Sequence, residues 1–206
     1  MLSSFWLADR PLVLASGSSA RAAMLMAAGI SIEIVAPELD ERTIARPLLE
    51  VGASPAMIAG TLAQAKAEAV ALARPGRWIL GADQVLDCDG VFFHKPANAE
   101  AAWQQLAQLS GRMHRLTSAA ALVRDGKLEA SATSSAELTM RGLSERSIDH
   151  YLALAGDDIL GSVGGYQLEN LGIQLFEAIK GDHFTILGLP LLALLAEMRQ
   201  LGVVQV

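Results

Sequence analysis

A carboxylate, Asp83, follows the apolar run Trp78-Ile79-Leu80-Gly81-Ala82, and an ammonium, Lys95, follows a second short apolar stretch, Val91-Phe92-Phe93. The first run is too short for a helix, and a strand that ends in a carboxylate presents an acid or base at the edge of a sheet. Between them, Asp89-Gly90 is a pair that favours a two-residue hairpin. This spacing lets Asp83 and Lys95 converge on one edge, where they would serve acid/base chemistry on an anion. The same spacing also accommodates a turn-capping aspartate and a solvated lysine.

Three further groups could work with that pair. Ser16-Gly17-Ser18-Ser19 stands between an apolar strand and a helix, so its hydroxyls and the free N–H groups of the helix start form an anion site. Arg21, in the first turn, opposes the helix dipole and is favoured there only if an anion compensates; Ser18 or Ser19 serves equally as a simple N-cap. Lys66 follows Ile58 and Leu62 and precedes Val70 at four-residue steps, which places it on an apolar stripe, where a lysine either reaches back to water or meets an anion. Asp40-Glu41, in the acidic stretch after Pro37, could hold a divalent cation together with Asp83, since Mg²⁺ and Mn²⁺ favour oxygen ligands. An acidic pair is also ordinary solvated surface.

Composition limits what these groups can serve. At 206 residues, 52% of them hydrophobic and 18% charged, the chain is a well-packed globule of one domain over 1–206, or one with a lobe. A net charge of −6 argues against a nucleic-acid surface, which needs a basic stripe. It leaves open a small anionic substrate, because a few cations in one cleft act locally. Cys88 is the only cysteine, which excludes an internal disulfide and points to the cytoplasm. No stretch is long and apolar enough to span a membrane, and no basic, apolar leader pattern opens the chain. No Walker loop or G-x-G-x-x-G fingerprint occurs, and His94, His114, His150 and His183 have no metal-ligand spacing.

The elements that must position these residues alternate along the chain. Strands are expected at 11–15, 32–36 and 78–82, at the hairpin around Asp89-Gly90, over the long pair 114–123 and 129–140, and at 173–179. Helices are expected over 20–28, stopped by Gly29, from Pro55 to about Ala73, from Asn98 to about Leu109, from Ser144 to Leu154, and from Pro190 onward; Asp182 is an N-cap. Glu38 to Glu41 reads as an acidic loop. The sum is a mixed α/β chain.

The order of the pieces carries a resemblance. Leu14-Ala15-Ser16-Gly17-Ser18-Ser19-Ala20-Arg21, Pro37-Glu38-Leu39-Asp40-Glu41, Ala65-Lys66-Ala67, Gly81-Ala82-Asp83-Gln84-Val85, Lys95-Pro96, Leu109-Ser110-Gly111 and Gly188-Leu189-Pro190 resemble the Maf family of nucleoside triphosphate pyrophosphatases over about residues 12–202. The resemblance implies an elongated mixed β-sheet flanked by helices, with a cleft between two lobes, a frequent homodimer, and hydrolysis of a nucleoside triphosphate to monophosphate and pyrophosphate with Mg²⁺ or Mn²⁺. Carried over by position, it makes Asp83 the general base, Glu41 a metal-site or catalytic carboxylate sharing the metal with Asp83, and Ser16, Ser18, Arg21, Lys66 and Lys95 the triphosphate-binding groups. A nucleotide-binding regulator of septum formation, without turnover, is the contrasting reading; the presence of Asp83 favours the enzyme.

Three positions bear on the base. The family's dTTP/UTP-acting branch has threonine after the catalytic aspartate and glutamine in the glycine-rich segment; here Gln84 and Glu169 stand there, as in the branch acting on 7-methyl-GTP. That branch has a tryptophan where this chain has Ala20, so one of three markers departs. Chemically, a carboxylate only accepts hydrogen bonds, which suits the adjacent N1–H and N2–H of guanine and not the carbonyls of uracil or thymine. The positive charge that N7 methylation adds strengthens such a bond, which is worth about 1.5–3 kcal/mol. The expectation is 7-methyl-GTP, with dTTP/UTP or a broad range of non-standard nucleotides as the alternatives.

Overall fold

The first strand, β1 (Leu12–Ala15), is buried along its whole length, and its apolar LVLA run is what a strand covered on both faces requires. The protein is described by a computed structural model covering residues 5–205. After β1 come α1 (Ser19–Ala27), β2 (Ile32–Ile34), α2 (Glu41–Glu50), α3 (Pro55–Ala71), β3 (Trp78–Cys88), β4 (Val91–Phe93) and α4 (Ala99–Leu109). The long strands β5 (Met113–Arg124) and β6 (Lys127–Met140) lead to α5 (Glu145–Ala155), a set of short 3₁₀ turns, β7 (Phe176–Lys180), α6 (His183–Ile186) and α7 (Leu191–Gln200). Among the described residues the strand order is β2-β1-β3-β5-β6-β7, with β4 also on β3. Parallel and antiparallel pairs are mixed, as the α/β reading requires. No described helix is long and apolar enough to cross a membrane.

The chain divides into two compact units, and β3, β5 and β6 each contribute a part to both. The first comprises 1–84, 118–134 and 188–206. Its β1 lies parallel between β2 and β3, with Leu14 opposite Leu80 and Ala15 opposite Gly81. Helix α3 covers this sheet through Ala67, Val70 and Ala71 against Val13, Ala15 and Ile79. Contact is unusually close at Gly81, where a Cβ would lie 2.0 Å from the Ala63 carbonyl oxygen and 2.8 Å from the Ala67 nitrogen. Only hydrogen fits there, so main chain meets main chain.

The second unit comprises 85–117 and 135–187. The expected hairpin is present: Asp89 and Gly90 both take positive φ, at 51° and 82°, and Cys88 pairs with Val91. The core gathers Leu86, Phe93, Leu106, Leu109, Leu116 and Leu138 with Tyr151 and Tyr166. Within it His114 is fully buried, its Nε2 2.7 Å from the Tyr166 hydroxyl and its Nδ1 without a partner among the described residues. Burial pushes the His114 pKa from 6.5 down to about 4. The folded protein therefore binds fewer protons than the unfolded chain between those values, and stability falls as pH drops from about 6.5 to about 4, by on the order of 3 kcal/mol. Urea unfolding of wild type and His114→Phe across that window checks this: the variant's acid-side loss should be smaller by that order, and parallel pH profiles would show that His114 is not responsible.

Three expectations change. Asp83 does not end a strand at a sheet edge; β3 continues to Cys88, and Asp83 sits in its middle with β1 and β5 as neighbours. The acidic stretch is not all loop: Asp40 caps α2, and Glu41 is that helix's first residue. The strand expected at 173–179 begins only at Phe176, because Leu171–Leu175 turns as 3₁₀ helix.

Candidate active site

Every group of the site that follows belongs to the first unit. Beyond the carboxyl end of β1 the chain enters Ser16-Gly17-Ser18, and Ser18 caps α1 by accepting from the Arg21 N–H at 3.3 Å. Ser16 Oγ, buried, accepts from the Ser18 N–H at 3.3 Å and from Arg21 Nη1 at 3.0 Å. Arg21 Nε donates to the Gly188 carbonyl at 2.8 Å, so the guanidinium is held between the first loop and the start of the C-terminal segment. Gly188 takes φ +99°, and a Cβ there would stand 3.4 Å from the Arg21 nitrogens. Ligands in open α/β sheets bind outside the carboxyl ends of the strands, where this loop lies.

Helix α3 supplies Lys66, which does not reach back to water. Its Nζ donates to Asp83 Oδ1 at 2.5 Å and pairs with Glu41 Oε1 at 3.0 Å. Lys66 and Asp83 are both buried, while the Glu41 side chain is half exposed. The Gly81 contact, two residues before Asp83, holds α3 close enough to β3 for this bond.

Burial dominates the ionisation of Asp83 and raises its pKa above the usual aspartate value; Lys66 and then Arg21 oppose the rise, and Glu41 adds to it. Burial likewise lowers the Arg21 pKa, against the pull of Asp83 and Glu41, although a guanidinium stays charged at neutral pH. Two cations and two carboxylates thus share a largely desolvated site. Arg21's opposition to the helix dipole is met by these carboxylates.

Asp40 is not part of the group. Its two oxygens accept from the Arg42 N–H at 3.1 Å and the Thr43 hydroxyl at 2.8 Å, which commits it to capping α2. Among the described residues no three or more His, Cys, Asp or Glu side chains gather as a metal group. Glu41 and Asp83 do converge, on the Lys66 ammonium. Mg²⁺ is commonly held by one or two carboxylates with waters and substrate phosphates, so this pair fits such an ion when a triphosphate provides further oxygens.

The remaining expected residues fall as follows. Ala20 is partly buried in the first turn of α1. Gln84 follows Asp83 in β3, and its Nε2 donates to the buried Ser118 Oγ at 3.1 Å. Lys95 and Glu169 belong to the second unit. Lys95 is exposed after β4 and forms no ion pair with a described residue; the cation on Asp83 is Lys66. Glu169 is exposed in the glycine-rich segment, and its charge helps burial push the Tyr151 pKa up to about 12. Gly81, Gly188 and Ser118 were not singled out from their own residue types. The signals for the two glycines were their places in Gly81-Ala82-Asp83 and Gly188-Leu189-Pro190, while Ser118 gave none.

Comparison with known proteins identifies the family. The family model described as Maf-like protein matches residues 11–201. A 7-methyl-GTP pyrophosphatase of Mesorhizobium japonicum is 52% identical over 94% of this chain and 97% of its own length. A nucleoside triphosphate pyrophosphatase of Nitrobacter hamburgensis is 50% identical over 96% of each chain. A 7-methyl-GTP pyrophosphatase of Brucella abortus is 49% identical over 92% of this chain and 95% of its own. With a match across nearly all of its length, and relatives at half identity, the chain belongs to the Maf family.

Proposed function

We propose that the chain hydrolyses a nucleoside triphosphate to the monophosphate and pyrophosphate, with 7-methyl-GTP as the preferred substrate. One observation carries the reading: a buried aspartate, its pKa raised, held by a buried lysine beside a second carboxylate and an arginine-bearing loop. Water attack on a phosphoryl group needs a base, and cations for the departing charge. Lys66 engages Asp83 Oδ1, and Oδ2 makes no hydrogen bond to a described residue, which leaves it to orient the water and accept its proton. Ser16, Ser18 and Arg21 bind the phosphate chain at the strand end. Glu41 and Asp83 would hold a divalent cation, Mg²⁺ or Mn²⁺, whose chemistry would be to neutralise charge on the phosphate oxygens. Lys66 keeps those two carboxylates together.

Gln84 and Glu169 read the base, with the exposed Glu169 carboxylate accepting from the adjacent N–H groups of 7-methylguanine. The names of the Mesorhizobium and Brucella relatives support that choice. The lone buried Cys88 supports a cytoplasmic location.

Pyrophosphate release from 7-methyl-GTP, GTP, UTP and dTTP tests the reading. The expected ranking puts 7-methyl-GTP first, and Glu169→Gln should cut that preference by about tenfold, the effect of losing one charge-assisted hydrogen bond. An unchanged ranking in Glu169→Gln discards the base-reading role, preference for UTP or dTTP discards the substrate, and no turnover of any of the four discards the enzyme.

A further inference from the structure

At the other end of the same three strands lies a second cationic feature. The catalytic group stands beyond the carboxyl end of β1 and midway along β3, whereas Arg10 precedes β1, Arg77 and Trp78 open β3, and Arg124 closes β5. Trp78 is five residues before Asp83, about 17 Å along an extended strand. Arg10, Arg77, Arg124 and Trp78 line a cavity of about 350 Å³, within the size range of small-ligand pockets. All of its lining belongs to the first unit.

The charge there runs against the chain. The protein carries −6 overall, yet the lining holds three arginines and one acidic residue, Asp9. Arg77 is fixed by bonds from Nη2 to Glu33 at 2.8 Å and to the Pro11 carbonyl at 2.9 Å, and its buried Nε has no partner among the described residues. Arg10 and Arg124 form no ion pair with a described carboxylate. The Arg124 guanidinium lies over the Trp78 ring, 5.1 Å from its centroid, which places a planar cation and an aromatic ring together in the lining. Aromatic rings and guanidinium groups stack nucleobases, and arginines with no carboxylate partner, here Arg10 and Arg124, pair with phosphate through forked donors.

We propose that this pocket is a second, non-catalytic ligand site, taking a phosphate monoester that carries a planar ring, the chemistry of a nucleotide. Arg10 meets the phosphate, beside Arg77, which Glu33 and the Pro11 carbonyl hold in place, and the Arg124–Trp78 pair meets the ring. The site is independent of the reaction assigned to Asp83, because it shares no residue with it.

Equilibrium dialysis of the full chain against guanosine 5′-monophosphate, a compound with no anhydride bond to hydrolyse, tests the proposal. The double variant Arg10→Gln/Arg124→Gln, both surface residues whose loss leaves the core intact, should bind one equivalent fewer per chain at saturation than wild type. Equal stoichiometry and affinity in the two proteins would overturn the site. Inorganic phosphate at the same concentration should not displace that equivalent; full displacement would overturn its assignment to a nucleotide. Fluorescence of Trp78, read as the difference between wild type and Trp78→Phe, should change on binding only when both arginines are present.

Discussion

Asp83→Asn is expected to lower pyrophosphate release by about 10²–10⁴-fold, the range over which a positioned general base contributes. Asparagine keeps the shape and still offers an oxygen to Lys66, so the 2.5 Å contact and the packing of α3 on β3 survive. What disappears is the capacity to take a proton. Burial raises the pKa of Asp83 from the ordinary aspartate value, the direction that makes a carboxylate a stronger base. Steady-state rates with 7-methyl-GTP, wild type against variant, decide the matter. A loss of less than tenfold with an intact circular dichroism spectrum would move the proton to another acceptor.

Lys66→Met has the second largest expected effect, and it acts on folding and chemistry at once. The side chains of Lys66 and Asp83 are 8% and 10% exposed, and removing one partner of a buried pair costs about 3–5 kcal/mol because the other charge is left unpaired. Lys66 is the strongest influence holding the Asp83 pKa down against burial. Without it Asp83 retains its proton to higher pH, so the acidic limb of the kcat/KM profile should move upward in pH. That displacement distinguishes an electrostatic role from a merely structural one. Lys66→Met combined with Asp83→Asn should recover much of the stability, since no charge is left buried alone. Equal destabilisation in the single and double variants would contradict the account.

The reach of the sequence can be traced element by element. Helix α3 was legible because Ser54 and Pro55 mark its start and its apolar stripe is buried, and the stripe itself placed Lys66 among packed residues. The hairpin at Asp89-Gly90 was legible because that pair takes positive φ. Helix α2 was not, since it buries no residue and contains Pro47, and helical periodicity is visible only where burial imposes it. The length of β3 was missed for a related reason. A charge at residue 83 looks like the end of a buried strand unless its partner is known, and that partner comes from a helix 17 residues earlier. Motif order marked the loop Ser16-Gly17-Ser18, but the hold of Gly188 on Arg21 spans 167 residues and leaves no local trace.

Gly81 gives the site a property that no ionisable residue provides. Because the α3 and β3 main chains touch there, the gap that Lys66 must bridge to Asp83 is set by peptide groups, which cannot yield as a methyl-bearing contact could. The lysine stem therefore spans a gap whose width two rigid surfaces set. The absence of one methyl group calibrates how strongly the ammonium grips the carboxylate, and with it how much basicity that carboxylate keeps.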